Sequence, residues 1–217
     1  IAAFPSSLAA NEFVPYIQPK YNIQDQSYSG GEVLCRWNRN GKMVSPGVFI
    51  PIFEENGQIR LLDRYMLIET CKVLRRELDS GMSPVPLSFN YSRIDLLDQE
   101  LFDKTLSIID HYQIPHQLIQ IEITESSYIS EKDRILDFAD KSIKAGIAIL
   151  MDDFGSGYSS LNSLKEMDIS GLKLDYAFLR NFDKATGDKN RRIIEGTIDI
   201  ARSLDISIIV EGVETVK

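Results

Sequence analysis

The sequence predicts an α/β chain closed into a (β/α)8 TIM-like barrel, and three observations carry that expectation. Apolar, β-branched runs alternate with helix-like segments roughly every 25–50 residues, the rhythm of parallel strands joined by crossover helices. The length of 217 residues falls where an α/β barrel forms one unit of roughly 200–250 residues. The competing fold, an open doubly wound sheet, lacks its phosphate-binding signatures here. Gly155-Ser156-Gly157 is followed by Tyr158-Ser159-Ser160 with no third glycine in position, and no Walker loop occurs.

Seven runs read as strands: Val14 to Tyr21, Glu32 to Trp37, Pro86 to Tyr91, Leu118 to Ile123, Ile147 to Met151, Leu172 to Leu174 and Ile206 to Val210. Between them, Leu67, Cys71, Leu74 and Leu78 mark one face of a helix over Arg60–Ser80. A second helix is expected from Ser130 to Ala145, with Ser130 as N-cap, Asp133 three residues on and Gly146 as its stop. Ile194, Ile198, Ala201 and Leu204 give a third apolar stripe.

Apolar residues are 43% and charged residues 26% of the chain, a folded and not a disordered composition. No apolar run reaches the roughly 20 residues that a membrane-spanning helix needs, and no signal peptide opens the chain. The charges, 24 basic against 32 acidic for a net −8, argue against a basic face that grips a nucleic-acid polymer. Cys35 and Cys71 lie in core-like runs and read as reduced thiols, which suits a cytoplasmic setting.

The chemistry gathers at strand ends. The third run finishes at Asn90, the fourth carries Glu122, and the fifth leads into Asp152-Asp153. The sixth holds Lys173 with Asp175 after it, the seventh runs into Glu211, and Glu32 opens the second. C-terminal strand ends form the active rim of an α/β barrel. Strand alternation puts Gln120 with Glu122, Ser88 with Asn90, Leu150 with Asp152 and Ile209 with Glu211 on shared faces. If the isoleucine-rich faces pack on outer helices, Asn90, Glu122, Asp152 and Glu211 point into one space.

Carboxylates crowded there would repel unless a cation intervened. Oxygen donors without cysteine or histidine suit Mg2+ or Mn2+ and disfavour zinc. Adjacent Asp152 and Asp153 could bridge two ions about 3.5–4 Å apart, as in-line attack on a phosphate ester uses them, with Lys173 orienting the attacking water. One acidic residue at a strand end is ordinarily a solvated loop residue or a helix cap, and Asp153-Phe154-Gly155 also reads as a strand-to-helix turn. Six such positions together outweigh those readings. His111 and His116, in a polar stretch, read as surface residues.

The same residues resemble the EAL domain family. Tyr16-Ile17-Gln18-Pro19-Lys20 is similar to its opening strand. Glu32-Val33-Leu34-Cys35-Arg36-Trp37 resembles the signature, with Val33 in place of alanine. The likeness continues through Phe49 to Gly57, Phe89-Asn90-Tyr91-Ser92 and Ile121 to Ser126. Asp152 to Leu161, Leu172 to Asp175 and Val210 to Thr215 complete it, with Ser156 for threonine and Val210 for alanine.

The resemblance implies a barrel with an antiparallel first strand and a phosphodiesterase that opens cyclic di-GMP to linear pGpG. By analogy, Glu32, Asn90, Glu122 and Asp152 hold one divalent cation, and Asp152, Asp153 and Glu211 a second. Lys173, Asp153 and Glu211 form the catalytic group. Arg36 binds substrate phosphate, with Gln18, Asp175 and Glu214 near phosphate or guanine. Glu125 braces the loop after Asp153, and that loop with the following helix forms a homodimer contact. Residues 1–12 read as the tail of a linker helix from an upstream signalling domain, for which GGDEF is the family-level expectation, and residues 13–217 as the domain. The family's final strand is expected beyond Lys217. The alternatives are a silent EAL domain acting as a cyclic di-GMP receptor or protein-interaction module, and a carboxylate-rich barrel acting on another phosphate ester or a sugar.

Overall fold

The computed structural model describes residues 4–155, 160–175 and 187–212. It is a mixed α/β structure in two compact units, Ile1–Ile121 and Glu122–Lys217, and each is described by itself.

The first unit begins with α1 (Phe4–Ala9), β1 (Phe13–Tyr21), β2 (Tyr28–Arg39) and β3 (Lys42–Val44). β1 pairs antiparallel with β2, placing Gln18 opposite Glu32 and Val14 opposite Arg36. Glu32 is therefore the fifth residue of a long strand and does not open it. β3, which the strand-like runs did not include, folds back on β2 through Asn40-Gly41. Both turn residues have positive φ (50° and 75°), the conformation for which Asn-Gly is suited in a tight hairpin. After α2 (Pro46–Glu55) and α3 (Ile59–Asp79) comes β4 (Leu87–Asn90), parallel to β2 with Glu32 beside Ser88. α4 (Leu101–His111) leads to the first half of β5 (Ile119–Thr124).

An aromatic cluster organises this unit. Phe13 stacks on Trp37 at 5.1 Å, Phe4 meets Phe53 at 4.7 Å, and Phe49 lies 5.6 Å from Phe53. All five rings are buried, so α1 contributes to the core through Phe4. On α3 the expected stripe holds at Leu67, Cys71 and Leu74, which are fully buried, while Leu78 is partly exposed near the helix end. α4 buries Leu101, Thr105 and Ile109. Its middle contact is a threonine that accepts or donates a 2.6 Å hydrogen bond with Tyr91 Oη, which hides the stripe from a purely apolar pattern.

The second unit takes up β5 and continues with α5 (Glu125–Ser130), α6 (Lys132–Lys144), β6 (Ala148–Phe154), α7 (Ser160–Glu166), β7 (Gly171–Leu174), α8 (Gly187–Ser203) and β8 (Ser207–Val210). β6, β7 and β8 are parallel neighbours. Two expectations need correction. Ser130 is the last residue of α5, with its hydroxyl donating to Ser127 O, and not the cap of α6; Thr124 is the residue that caps a helix here, accepting from Ser127 N at α5. Leu204 follows the end of α8 and is half exposed, whereas Ile194, Thr197 and Ala201 form the buried stripe.

Close strand approach requires glycine at Gly31, where a Cβ would lie 2.5 Å from Ile17 Cγ2 and 3.1 Å from Leu87 Cδ2. Ile17 is β-branched and cannot swing this methyl aside cheaply. Gly31→Ala is expected to destabilise the protein by about 1–3 kcal/mol through overpacking. Gly196→Ala, in helix α8 with open space around it, is expected to stabilise by about 0.5–1 kcal/mol. Urea unfolding of both variants checks the contrast, and equal effects would refute it.

Candidate active site

In the first unit one face of the sheet carries the candidate polar groups. Register places Gln18, Glu32 and Ser88 side by side across β1, β2 and β4, and alternation adds Lys20, Arg36 and Asn90 to that face. Asn90 Nδ2 donates to Glu32 Oε1 at 3.2 Å. The Arg36 guanidinium lies 5.8 Å from the Tyr16 ring centre and donates to Cys35 O at 3.0 Å. Lys20 Nζ donates to Ser88 Oγ at 2.6 Å. Lys20 was not among the expected site residues; its position two along from Gln18 was the signal that could have found it.

In the second unit the strand-end acids converge on one ammonium. Lys173, 1% exposed in the middle of β7, lies 2.5 Å from Glu122 Oε2, 2.8 Å from Glu211 Oε1 and 3.2 Å from Asp152 Oδ2. Glu122 is fully buried on β5. Burial pushes the Asp152 carboxyl up to about 6, with Glu122 and Glu211 adding to the rise and Lys173 opposing it. The β6 to β7 register shifts between Met151 and Phe154. At this irregularity Asp153 takes φ 56°, and its N–H donates to Asp152 Oδ1 at 2.8 Å. A bulge re-aims side chains at a strand end: Asp152 faces Lys173, while Asp153 is exposed. Burial raises the Asp153 carboxyl as well, followed by the charges of Asp175 and Glu211.

Glu125, fully buried at the start of α5, accepts from Gly155 N at 3.2 Å. One turn later Tyr128 donates to Glu166 Oε2 at 2.7 Å, and Lys132 pairs with the same carboxylate. The second unit thus brings together Glu122, Asp152, Lys173 and Glu211, with Asp153 and Asp175 as neighbours in charge. Glu214 lies outside the described residues, as do positions 156–159 of the loop after Asp153. His111 is exposed at the end of α4, and His116 Nε2 lies 2.8 Å from Asp110 Oδ1; neither joins the acidic groups. Both cysteines are free, and burial raises both thiols to about 12, which makes them poor ligands and nucleophiles.

A family description, the EAL domain, matches residues 1–217. The chain belongs to the EAL domain family. Its signature stands here as Glu32-Val33-Leu34 on β2. Signaling protein YkoW of Bacillus subtilis is 32% identical over 205 residues, covering 94% of this chain and 25% of YkoW. Cyclic di-GMP phosphodiesterase RocR of Pseudomonas aeruginosa is 31% identical over 218 residues, covering 99% of this chain and 54% of RocR. The solved PaMucR phosphodiesterase in complex with c-di-GMP superposes with a TM-score of 0.89 at 29% identity, covering 99% of this chain and 86% of that one. This EAL domain therefore spans between a quarter and about half of the curated relatives named. No helix among its described residues is long and apolar enough to cross a membrane.

Hard divalent cations fit the donor chemistry of this EAL domain. The candidate ligands are all oxygen, and carboxylates that resist ionisation when crowded are relieved by a nearby cation. Among the described residues no three acidic, histidine or cysteine groups close into a metal-holding cluster; the Lys173 ammonium draws three of the carboxylates to itself.

Two expectations follow. Lys173→Met leaves buried carboxylates uncompensated and should cost about 3–5 kcal/mol at pH 8. The loss should shrink at pH 5, where Asp152, its carboxyl raised to about 6, takes a proton. Urea titrations at both pH values test this, and an equal loss at both would show that Lys173 does not balance them. In metal-free protein the folded value of Asp152 lies above its ordinary 3.8. Protonation there favours the folded state, so its contribution to stability is full below about 4 and is lost as pH rises through about 6. Carboxyl NMR should place this titration near 6, and an ordinary value would refute the crowding.

Proposed function

We propose that this EAL domain hydrolyses one 3′–5′ phosphodiester bond of cyclic di-GMP to linear pGpG with the help of two divalent cations, Mg2+ or Mn2+. The observation that carries the reading is the buried Lys173 ammonium held by Glu122, Asp152 and Glu211. Nothing in a merely structural strand requires a lysine and three acids at such cost in desolvation, whereas phosphate hydrolysis uses both charges. The names of RocR and PaMucR support the substrate.

The reading assigns Glu32, Asn90, Glu122 and Asp152 to one cation, and Asp152, Asp153 and Glu211 to the other. When bound, such cations lower the pKa of a water and neutralise phosphate charge. The three N–H donors of Lys173 Nζ face Glu122, Asp152 and Glu211 here; with Asp152 and Glu211 taken up as cation ligands, donors would be released with which Lys173 could hold the attacking water. The water oxygen bonds to phosphorus as the bond to the ribose 3′ oxygen breaks. The water's proton passes to Asp153 as general base, and the leaving oxygen takes a proton from solvent. Arg36 binds a substrate phosphate, with Gln18, Asp175 and Glu214 near phosphate or guanine, and Glu125 braces the loop after Asp153.

For the whole protein, the same reading expects a closed eight-stranded barrel, a homodimer through the loop after Asp153 and the helix that follows it, and an upstream signalling domain such as GGDEF ahead of residue 13. It also places the domain in the cytoplasm, or on the cytoplasmic side of the membrane if the full-length protein has membrane segments.

Purified full-length protein with cyclic di-GMP and Mg2+ or Mn2+ should yield pGpG. Glu32→Ala and Asp152→Ala should each lower turnover at least about a hundredfold, the scale of losing a charge-stabilising group, with far-UV circular dichroism unchanged. Tight binding without turnover under both metals would overturn the enzyme reading in favour of a receptor.

A further inference from the structure

Just beyond β4 the chain bends through Asn90-Tyr91-Ser92 into a 3-10 turn at Asp95–Leu97. Two residues of α3, one helical turn apart, hold this bend. Arg60 donates to Ile94 O from Nη2 at 2.8 Å and from Nε at 3.2 Å. Asp63 Oδ2 accepts from Ser92 N at 3.0 Å, and the Asp63 and Asp95 side chains hydrogen-bond to each other. The Ser92 hydroxyl donates to Asp95 Oδ2, and Asp95 N donates back to Ser92 Oγ at 3.3 Å. Asp95 is 5% exposed. Part of Asp63 reaches the surface, but its carboxyl end is enclosed by protein. None of these groups has a role in the proposed hydrolysis.

Two carboxyls can hydrogen-bond only if one carries a proton. Burial, and then Asp95, hold the Asp63 carboxyl well above the ordinary range. The other titratable groups facing the pair are the Cys35 thiol from β2 and the Tyr91 phenol from the loop itself. Neither offers a counter-charge near neutrality.

We propose that Asp63 and Asp95 are positioning residues: sharing one proton, they clamp Ser92 and so fix Asn90 for cation binding. This rests on the assignment of Asn90 as a ligand in the proposed function. Asn90 Nδ2 is engaged with Glu32, which turns the amide oxygen into the ligand atom. Two residues later the clamp fixes the backbone that aims it. The arrangement is an outer support of a ligand, whose loss typically weakens metal binding about 10–100-fold.

Mg2+ titration of full-length protein by calorimetry, without substrate, tests the clamp. Asp63→Ala should weaken Mg2+ binding about 10–100-fold. Asp63→Asn should stay within about threefold, because its amide can donate to the Asp95 carboxylate and still accept from Ser92 N. In the wild type, affinity should fall as pH rises through the raised titration of Asp63 and the shared proton leaves; in Asp63→Asn that fall should vanish. Ionisation of Asp152 works in the opposite direction, strengthening binding as pH rises, so the two are separable. A folded Asp63→Ala with wild-type affinity, or an Asp63→Asn as damaged as Asp63→Ala, overturns the clamp. If Asp63→Ala does not fold, the pH comparison of wild type with Asp63→Asn decides. Asn90→Ala distinguishes the levels. If it weakens Mg2+ binding and Asp63→Ala does not, the clamp alone fails; if it leaves binding unchanged, the ligand assignment fails and the clamp with it.

Discussion

A buried ammonium facing three carboxylates is the constraint on which the second unit depends. An isolated charge in a protein interior costs several kcal/mol of lost hydration, and the cost is offset only by close partners. Lys173 has them at 2.5, 2.8 and 3.2 Å, supplied by β5, β6 and the residue after β8. The balance is incomplete by design of charge: one cation faces three acids. Burial is the main cause that lifts Asp152 to about 6, and the residual repulsion from Glu122 and Glu211 adds to it; that repulsion is also what makes added positive charge favourable. On the proposed reading, an acidic chain of net charge −8 would serve an anionic dinucleotide because the attraction would come from cations at one locus and not from the surface as a whole.

Such a cluster needs its strands at fixed spacing. Gly171 lets β6 and β8 close on β7 two residues before Lys173, since a Cβ there would sit 2.7 Å from both Leu150 Cδ2 and Ser207 Oγ. Simple alternation sends the adjacent Asp152 and Asp153 to opposite faces, and the strand's register irregularity falls at this pair. One reaches the ammonium and the other stays open to solvent. The positive φ of Asp153 costs on the order of 1–2 kcal/mol for a residue with a Cβ, and it is sustained by the strands on either side.

Much of this was legible in the sequence. All seven strand-like runs are strands, because β-branched runs bounded by turns are the strongest local signal such a fold offers. The convergence of Glu122, Asp152, Lys173 and Glu211 followed from strand-end position plus alternation, since a parallel sheet forces those ends to one side. What was missed lacked a local apolar signature. β3 is only three residues long, α4 has Thr105 in its buried stripe, and Ser130 ends one helix where it was expected to begin the next. Asp63 was invisible for another reason: on a helix face, an acid facing a loop 29 positions later looks like any solvated aspartate.

Asp63 and Lys173 show two different answers to crowded carboxylates in one chain. Where Asp63 meets Asp95, the excess charge is removed by a proton, which leaves a neutral, directional and self-contained contact. Where Glu122, Asp152 and Glu211 meet, it is reduced by a lysine that cannot neutralise all three. A protonated pair has no remaining appetite for a metal ion, and so suits support. A partly compensated cluster keeps a negative potential and suits binding. The choice between them follows from what the neighbouring strand offers: beside Asp63 stands the Cys35 thiol, held neutral by burial, and beside Asp152 stands Lys173. Exchanging those neighbours would exchange the roles, because the carboxylates themselves are chemically alike.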